Sequence, residues 1–87
     1  MPDNEKRPRN LCGPIIRQLR QELRGERGRR LSVEELADRI EAEGVSMSFG
    51  HLAKIERQVK EVNDYQLRAI AAALGVSIPE LFPSDDE

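Results

Sequence analysis

An all-α domain is the fold class this sequence predicts, and three features predict it. Leu, Ile and Ala recur at the three- and four-residue spacing of buried helix faces, with no strand-like alternation. A cap residue followed three positions later by Glu or Gln occurs at Ser32–Glu35, Asn63–Gln66 and Ser77–Glu80. Glycine and proline punctuate the chain between these segments. Together they predict five short helices joined by tight turns.

Residues 1–10 carry Pro2, Pro8 and mixed charge, with no apolar residue after Met1. They read as a flexible N-terminal arm, able to reach a nucleic-acid groove or to remain an inert tail. Gly13 and Pro14 open the first helix, because proline suits a first turn. Its inward stripe is Ile15, Ile16, Leu19 and Leu23. Gly25 and Gly28 end it and begin a basic loop, "GERGRR". "SVEE" starts the second helix, with Ser32 as cap and Glu35 reaching back to it. Leu36, Ala37 and Ile40 face inward, and Gly44 stops the helix. Ser48 caps a third helix ending near Arg57. "NDYQ" opens a fourth, with Asn63 as cap, Leu67, Ile70, Ala71 and Leu74 as its buried face, and Gly75 as its close. "SIPE" starts a last short helix capped by Ser77, whose Leu81 and Phe82 return to the core. "PSDDE", residues 83–87, is an acidic solvated tail.

With 87 residues the chain makes one small domain, residues 11–82. A domain of this size buries roughly 60% of the surface its unfolded chain exposes, so its stability is modest. The core is aliphatic, since the only aromatic residues are Phe49, Tyr65 and Phe82. Cys12 is the lone cysteine, which excludes an intrachain disulfide and a four-cysteine metal site. It reads as a small, semi-buried hydrophobe suited to a reducing interior. No apolar run reaches the ~18 residues of a membrane span. The charged first residues are not a secretory signal. A cytoplasmic protein without cofactor is expected.

Net charge is −2, which by itself does not mark a nucleic-acid binder. Its distribution is more informative. Residues 1–30 hold nine Lys/Arg against four Asp/Glu, while residues 31–87 hold five against twelve. A basic front on an acidic body can still present a local positive surface.

"SFGHLAKIERQ", residues 48–58, has two faces when placed at helical steps. Leu52, Ile55 and Val59 fall on one side; Gly50, Lys54 and Arg57 fall on the other. Glu56 lands on the apolar side, where a carboxylate needs a charged, hydrogen-bonded partner. His51 lacks neighbours at metal-ligand spacing and lacks a nucleophile to activate, since Ser48 is better used as the cap. It is read as helix surface, either plain or beside a phosphate.

"LSVEELADRI", "HLAKIERQ" and "AIAAALGVSIPELF", in that order, resemble the lambda-repressor-like, Cro-type helix-turn-helix domain of the xenobiotic-response-element family. "LCGPIIRQLR" and "NDYQLRAIAAALGV" are similar to a bacterial branch with a longer turn between helices two and three. The resemblance runs from Leu11 to Phe82. It implies a compact five-helix domain whose third helix enters the major groove. It also implies an ion pair between Glu56 and Arg20, bridging helices one and three. Base-reading positions carried over from the family are Phe49, Gly50 and Lys54; Lys54 can donate to guanine. Ser48, His51, Arg57, Lys60, Arg29 and Arg30 are candidates at or near the DNA backbone, with Ser46 and Asn63 able to add neutral hydrogen bonds. Three positions depart from the pattern. Gly50 has no side chain to read a base, Val33 replaces a frequent phosphate-binding glutamine, and Gln58 replaces the glycine that usually follows helix three.

The function implied is a sequence-specific DNA-binding regulator, a repressor acting on a palindromic operator as a homodimer. Val76, Ile78, Leu81 and Phe82 either form its interface or complete the monomer core. The alternative is a protein-interaction module on the same fold, such as an antitoxin-like partner of a toxin. Negative charge, Gly50 and Val33 favour that reading. An enzyme is not expected, because the sequence has no nucleophile–base pair, phosphate-cradling glycine loop or metal cluster.

Overall fold

The computed structural model describes residues 7–84. Among them are four α-helices: α1 (Gly13–Glu22), α2 (Val33–Ala42), α3 (Phe49–Glu56) and α4 (Asp64–Leu74). Two 3₁₀ turns, Glu26–Gly28 and Ile78–Leu81, complete the elements. α2 is central and packs on α3 and α4; α1 packs on α3, and the last 3₁₀ turn packs on α4.

Local chemistry sets the helix starts. Ser32 Oγ accepts from Glu35 N (3.0 Å) while Glu35 Oε1 accepts from Ser32 N (2.9 Å). Asn63 and Gln66 make the same reciprocal pair. Ser48 Oγ accepts from His51 N at 3.1 Å. Each cap satisfies amides that lack an intrahelical acceptor. Gly75 closes α4 in the left-handed region, φ 76°.

The core is aliphatic. Ile16, Leu36, Ile40, Leu52, Ile55, Ile70 and Leu81 are fully buried. Leu31 and Met47, outside the helices, are buried with them. Cys12 is enclosed in this core, and burial pushes its thiol pKa up, away from thiolate chemistry.

Several sequence expectations are corrected. The fifth helix is the 3₁₀ turn Ile78–Leu81, and the Ser77 side chain makes no cap bond. Pro83 explains the shortness: the residue before a proline is pushed to extended backbone, and Phe82 has φ −111°, ψ 149°. Leu81 belongs to the core of its own chain and Val76 packs against it, whereas Ile78 and Phe82 stay 39% and 38% exposed. Val59 is not on the apolar side of α3 but 57% exposed, because the helix ends at Glu56 and Gln58 turns the chain away at φ 67°.

Asn10, read as part of a loose arm, is a buried anchor. Its Nδ2 donates to the carbonyls of Ile55 (3.0 Å) and Lys60 (2.8 Å), and its Oδ1 accepts from Gly13 N (2.8 Å). Arg9 N donates to Gln58 O, and Gln58 Nε2 donates to Asn10 O. The end of α3 is thereby capped by the segment preceding α1. This holds Gln58 in a conformation that ordinarily favours glycine. The rest of the expected arm, residues 1–6, and residues 85–87 of the acidic tail lie outside the described residues.

Candidate nucleic-acid interface

α3 follows α2 after the turn of residues 43–48, and its two faces separate cleanly. Leu52, Ile55 and Glu56 are buried. Phe49 is 53% exposed, and Gly50, Lys54 and Arg57 are exposed with it. The buried carboxylate has a specific partner. Arg20 Nε donates to Glu56 Oε2 (2.8 Å) and Arg20 Nη2 to Glu56 Oε1 (2.9 Å). Arg20 Nη1 also donates to Leu31 O at 2.8 Å. The planar guanidinium thus ties α1 to α3 and to the chain entering α2, a bidentate geometry that lysine cannot reproduce.

α1 approaches α3 closely at a second point. A side chain on Gly13 would meet the backbone carbonyls of Ile55 and Glu56, the latter at 2.8 Å. The Arg20 fork, the Asn10 carboxamide and the bare Gly13 together determine where α3 sits and which face it turns outward.

Beside that face, Arg17, Val33, Ala53 and Arg57 line a shallow cleft whose floor holds the Arg20–Glu56 pair. Arg17 is absent from the sequence-derived candidates. Its signal is that it lies one helical turn before Arg20, on the side of α1 that meets α3. Among the described residues Arg17, Lys54 and Arg57 have no ion-pair partner, and Glu56, the only carboxylate lining the cleft, is already paired. The result is a positive surface over a paired floor, crossing α1, the start of α2 and α3.

The remaining candidates lie elsewhere. Arg29 and Arg30 are in the α1–α2 connection and do not themselves line this cleft. Lys60 and His51 line a separate groove with Arg9, Asn63 and Gln66. His51, expected on the surface, is half-buried, and its Nε2 is closed off from water without a hydrogen-bond partner. Burial, then the charges of Lys60 and Lys54, hold its pKa below the ordinary 6.5. Folding therefore favours the neutral imidazole. Its contribution to stability is complete above pH 6.5 and is lost as pH falls from there through the lowered folded value. The melting temperature is expected to drop between pH 7 and pH 5, and His51→Gln is expected to flatten that drop.

Gly50 is helical, and a Cβ there meets nothing closer than Ser48 Oγ at 4.0 Å. Gly50→Ala is expected to raise stability by up to ~1 kcal/mol from helix propensity alone. Thermal unfolding reads this as a gain of a few degrees.

A small all-helical domain that presents an exposed helix after a turn, with unpaired cations along it, is a helix-turn-helix module. The chain belongs to the Helix-turn-helix family of lambda-repressor and Cro type, whose family model matches residues 16–81. It is a DNA-binding regulator of that type; the family is a regulatory one and not a family of enzymes. No curated protein and no solved structure matches the chain. Among the described residues no helix is long and apolar enough to cross a membrane, and no group of potential metal ligands is assembled.

Proposed function

We propose that the protein is a cytoplasmic transcriptional repressor that binds a palindromic operator as a homodimer, with α3 in the major groove. The observation carrying this reading is the outward face of α3. Lys54 and Arg57 are exposed and unpaired there, and Arg17 extends the positive surface onto α1. Lys54 is suited to guanine O6 and N7, and the exposed Phe49 ring to a thymine methyl. Backbone phosphates meet Arg57, Arg17 and the open first-turn amides of α2 and α3. Gly50 lets the helix backbone approach the groove without a side chain between them. Ile78 and Phe82, exposed at the two ends of the last 3₁₀ turn, are the apolar residues a second copy would cover.

Selection from a randomised duplex pool, at low and at physiological salt, tests the proposal. The expected result is a palindrome with half-sites about ten base pairs apart. Lys54→Ala is expected to relax preference at one position per half-site, a loss of about 1–3 kcal/mol of discrimination. Salt-sensitive binding without an enriched sequence would overturn the specific-regulator reading. No binding at low salt would favour the second reading, in which the bare patch at Gly50 receives a protein partner such as a toxin.

A further inference from the structure

The connection between α1 and α2 is a built hairpin. The chain leaves α1 at Leu23 in extended backbone, and Arg24 and Arg30 form an isolated antiparallel bridge. Gly25 N donates to Arg29 O (2.7 Å), and Leu31 N donates to Leu23 O (3.0 Å). The tip is the 3₁₀ turn Glu26–Gly28, closed by Arg27 and Gly28 at φ 65° and 74°.

The hairpin is tied to α2 by one side chain. Glu35 Oε1 holds Ser32 N in the cap of α2, while Glu35 Oε2 accepts from Glu26 N at 3.0 Å. A capping box uses only the first of these bonds. Gly25 fits against the same carboxylate, where a Cβ would lie 2.7 Å from Glu35 Oε2. The two backbone amides hold the Glu35 pKa below the usual carboxylate range, so it stays charged at neutral pH.

What this tether holds in place is unpaired positive charge. Arg24, Arg27, Arg29 and Arg30 are exposed, and among the described residues none of their guanidinium groups has an acceptor. Within the hairpin only Glu26 opposes them, and on α2 Asp38 and the already paired Glu35 line the groove beside Gly25 and Glu26. Four crowded cations on a short bridged loop repel one another, so the arrangement suits an external polyanion better than it suits the folded chain alone. The hairpin is followed in the chain by Leu31, whose carbonyl accepts from Arg20, and then by Val33, which lines the cleft of Arg17 and Arg57. A single nucleic-acid backbone crossing that cleft can continue along the hairpin.

We infer that the Arg24–Arg30 hairpin is a phosphate clamp on the DNA backbone flanking the half-site, and that Glu35 is its positioning residue. The inference rests on the DNA-binding reading and extends it. The clamp touches phosphates and no bases, so it adds affinity and salt dependence without changing the sequence preferred.

The test measures affinity against salt concentration on a selected duplex. Four full-length proteins are compared: wild type, the triple variant Arg27→Ala/Arg29→Ala/Arg30→Ala, Glu35→Gln and Glu35→Ala. For every phosphate left without its cation, the log–log salt slope becomes shallower by about 0.9. The triple variant is expected to lose about two to three units of slope, with an unchanged consensus and a melting temperature no lower than wild type, since it relieves repulsion among the cations. In Glu35→Gln the amide oxygen can keep the bond to Ser32 N, but its NH₂ then faces Glu26 N–H. That variant is expected to keep α2 capped, lose about one unit of slope and show faster hydrogen exchange at the Glu26 amide. Glu35→Ala is expected to lose slope as well, with a lower melting temperature because the cap is gone.

A triple variant with wild-type slope and affinity would overturn the clamp while leaving the DNA-binding reading intact. A changed consensus would overturn it too, because the hairpin would then be reading bases. Failure of the wild-type protein to bind duplex at low salt would overturn both.

Discussion

Glu56→Ala is expected to lower the melting temperature by at least ~12 °C. The pair it breaks is largely dry, with the Arg20 and Glu56 side chains 13% and 6% exposed. Removing one partner of such a pair leaves the other charge in poor solvent and costs about 3–5 kcal/mol. In a domain of this size each kcal/mol is worth about 4–8 °C. The loss approaches the whole stability of a small domain. The double substitution Arg20→Met/Glu56→Leu is expected to recover part of it, since a well-packed apolar pair avoids the desolvation cost while the Leu31 carbonyl loses its Arg20 donor. Circular dichroism melts of the three proteins check this. A single variant that melts like wild type would mean that the fork between α1 and α3 is not made in solution. The same variant should weaken DNA binding beyond its stability loss, because Glu56 lies on α3 and its fork helps to set the angle of the reading face.

Gly13→Ala is expected to destabilise by about 3 kcal/mol, against the ordinary sense of that substitution. Inside a helix alanine is favoured over glycine by up to ~1 kcal/mol, the effect expected at Gly50. At Gly13 the added methyl points at the carbonyls of Ile55 and Glu56, with Asn10 Oδ1 at 3.1 Å behind them. The carbonyls are backbone and cannot swing aside, so α1 must retreat from α3, and forced overpacking of this kind costs about 1–3 kcal/mol. The methyl also disturbs the Asn10 anchor, whose carboxamide satisfies Gly13 N and two carbonyls at the end of α3. Opposite signs for Gly13→Ala and Gly50→Ala in one set of melts would locate the close helix approach at Gly13. Equal stabilisation by both would remove it.

How far the molecule was legible follows from the range of each interaction. Ser32 with Glu35, Ser48 with the amide of His51, and Asn63 with Gln66 each span three residues, so the helix starts are written in the local order of the chain. The division of α3 into a buried Leu52–Ile55–Glu56 side and an exposed Gly50–Lys54–Arg57 side follows from helical periodicity in the same way. Glu56 on the apolar side announced that it needed a cation. Its partner is 36 residues away, and only likeness to a family pointed to Arg20.

Beyond one helical turn the chain order stops being informative. Asn10 reads as arm because its acceptors are 45 and 50 residues distant. Arg17 looks like any polar residue of α1 until α3 packs beside it. Gly25 and Gly28 mark a loop, but backbone bonds across it make a hairpin, and the bond that Glu35 accepts from the Glu26 amide ties that hairpin to α2. Leu81 could have served a dimer or the monomer; packing on α4 placed it in the core and left Ile78 and Phe82 outside. Helix existence, caps and amphipathic faces were settled by residues within a turn of one another, since those bonds form wherever the chain is helical. The seat of α3, the path of the basic hairpin and the extent of the positive surface were settled only by packing, because each joins groups that nothing in the chain order brings together.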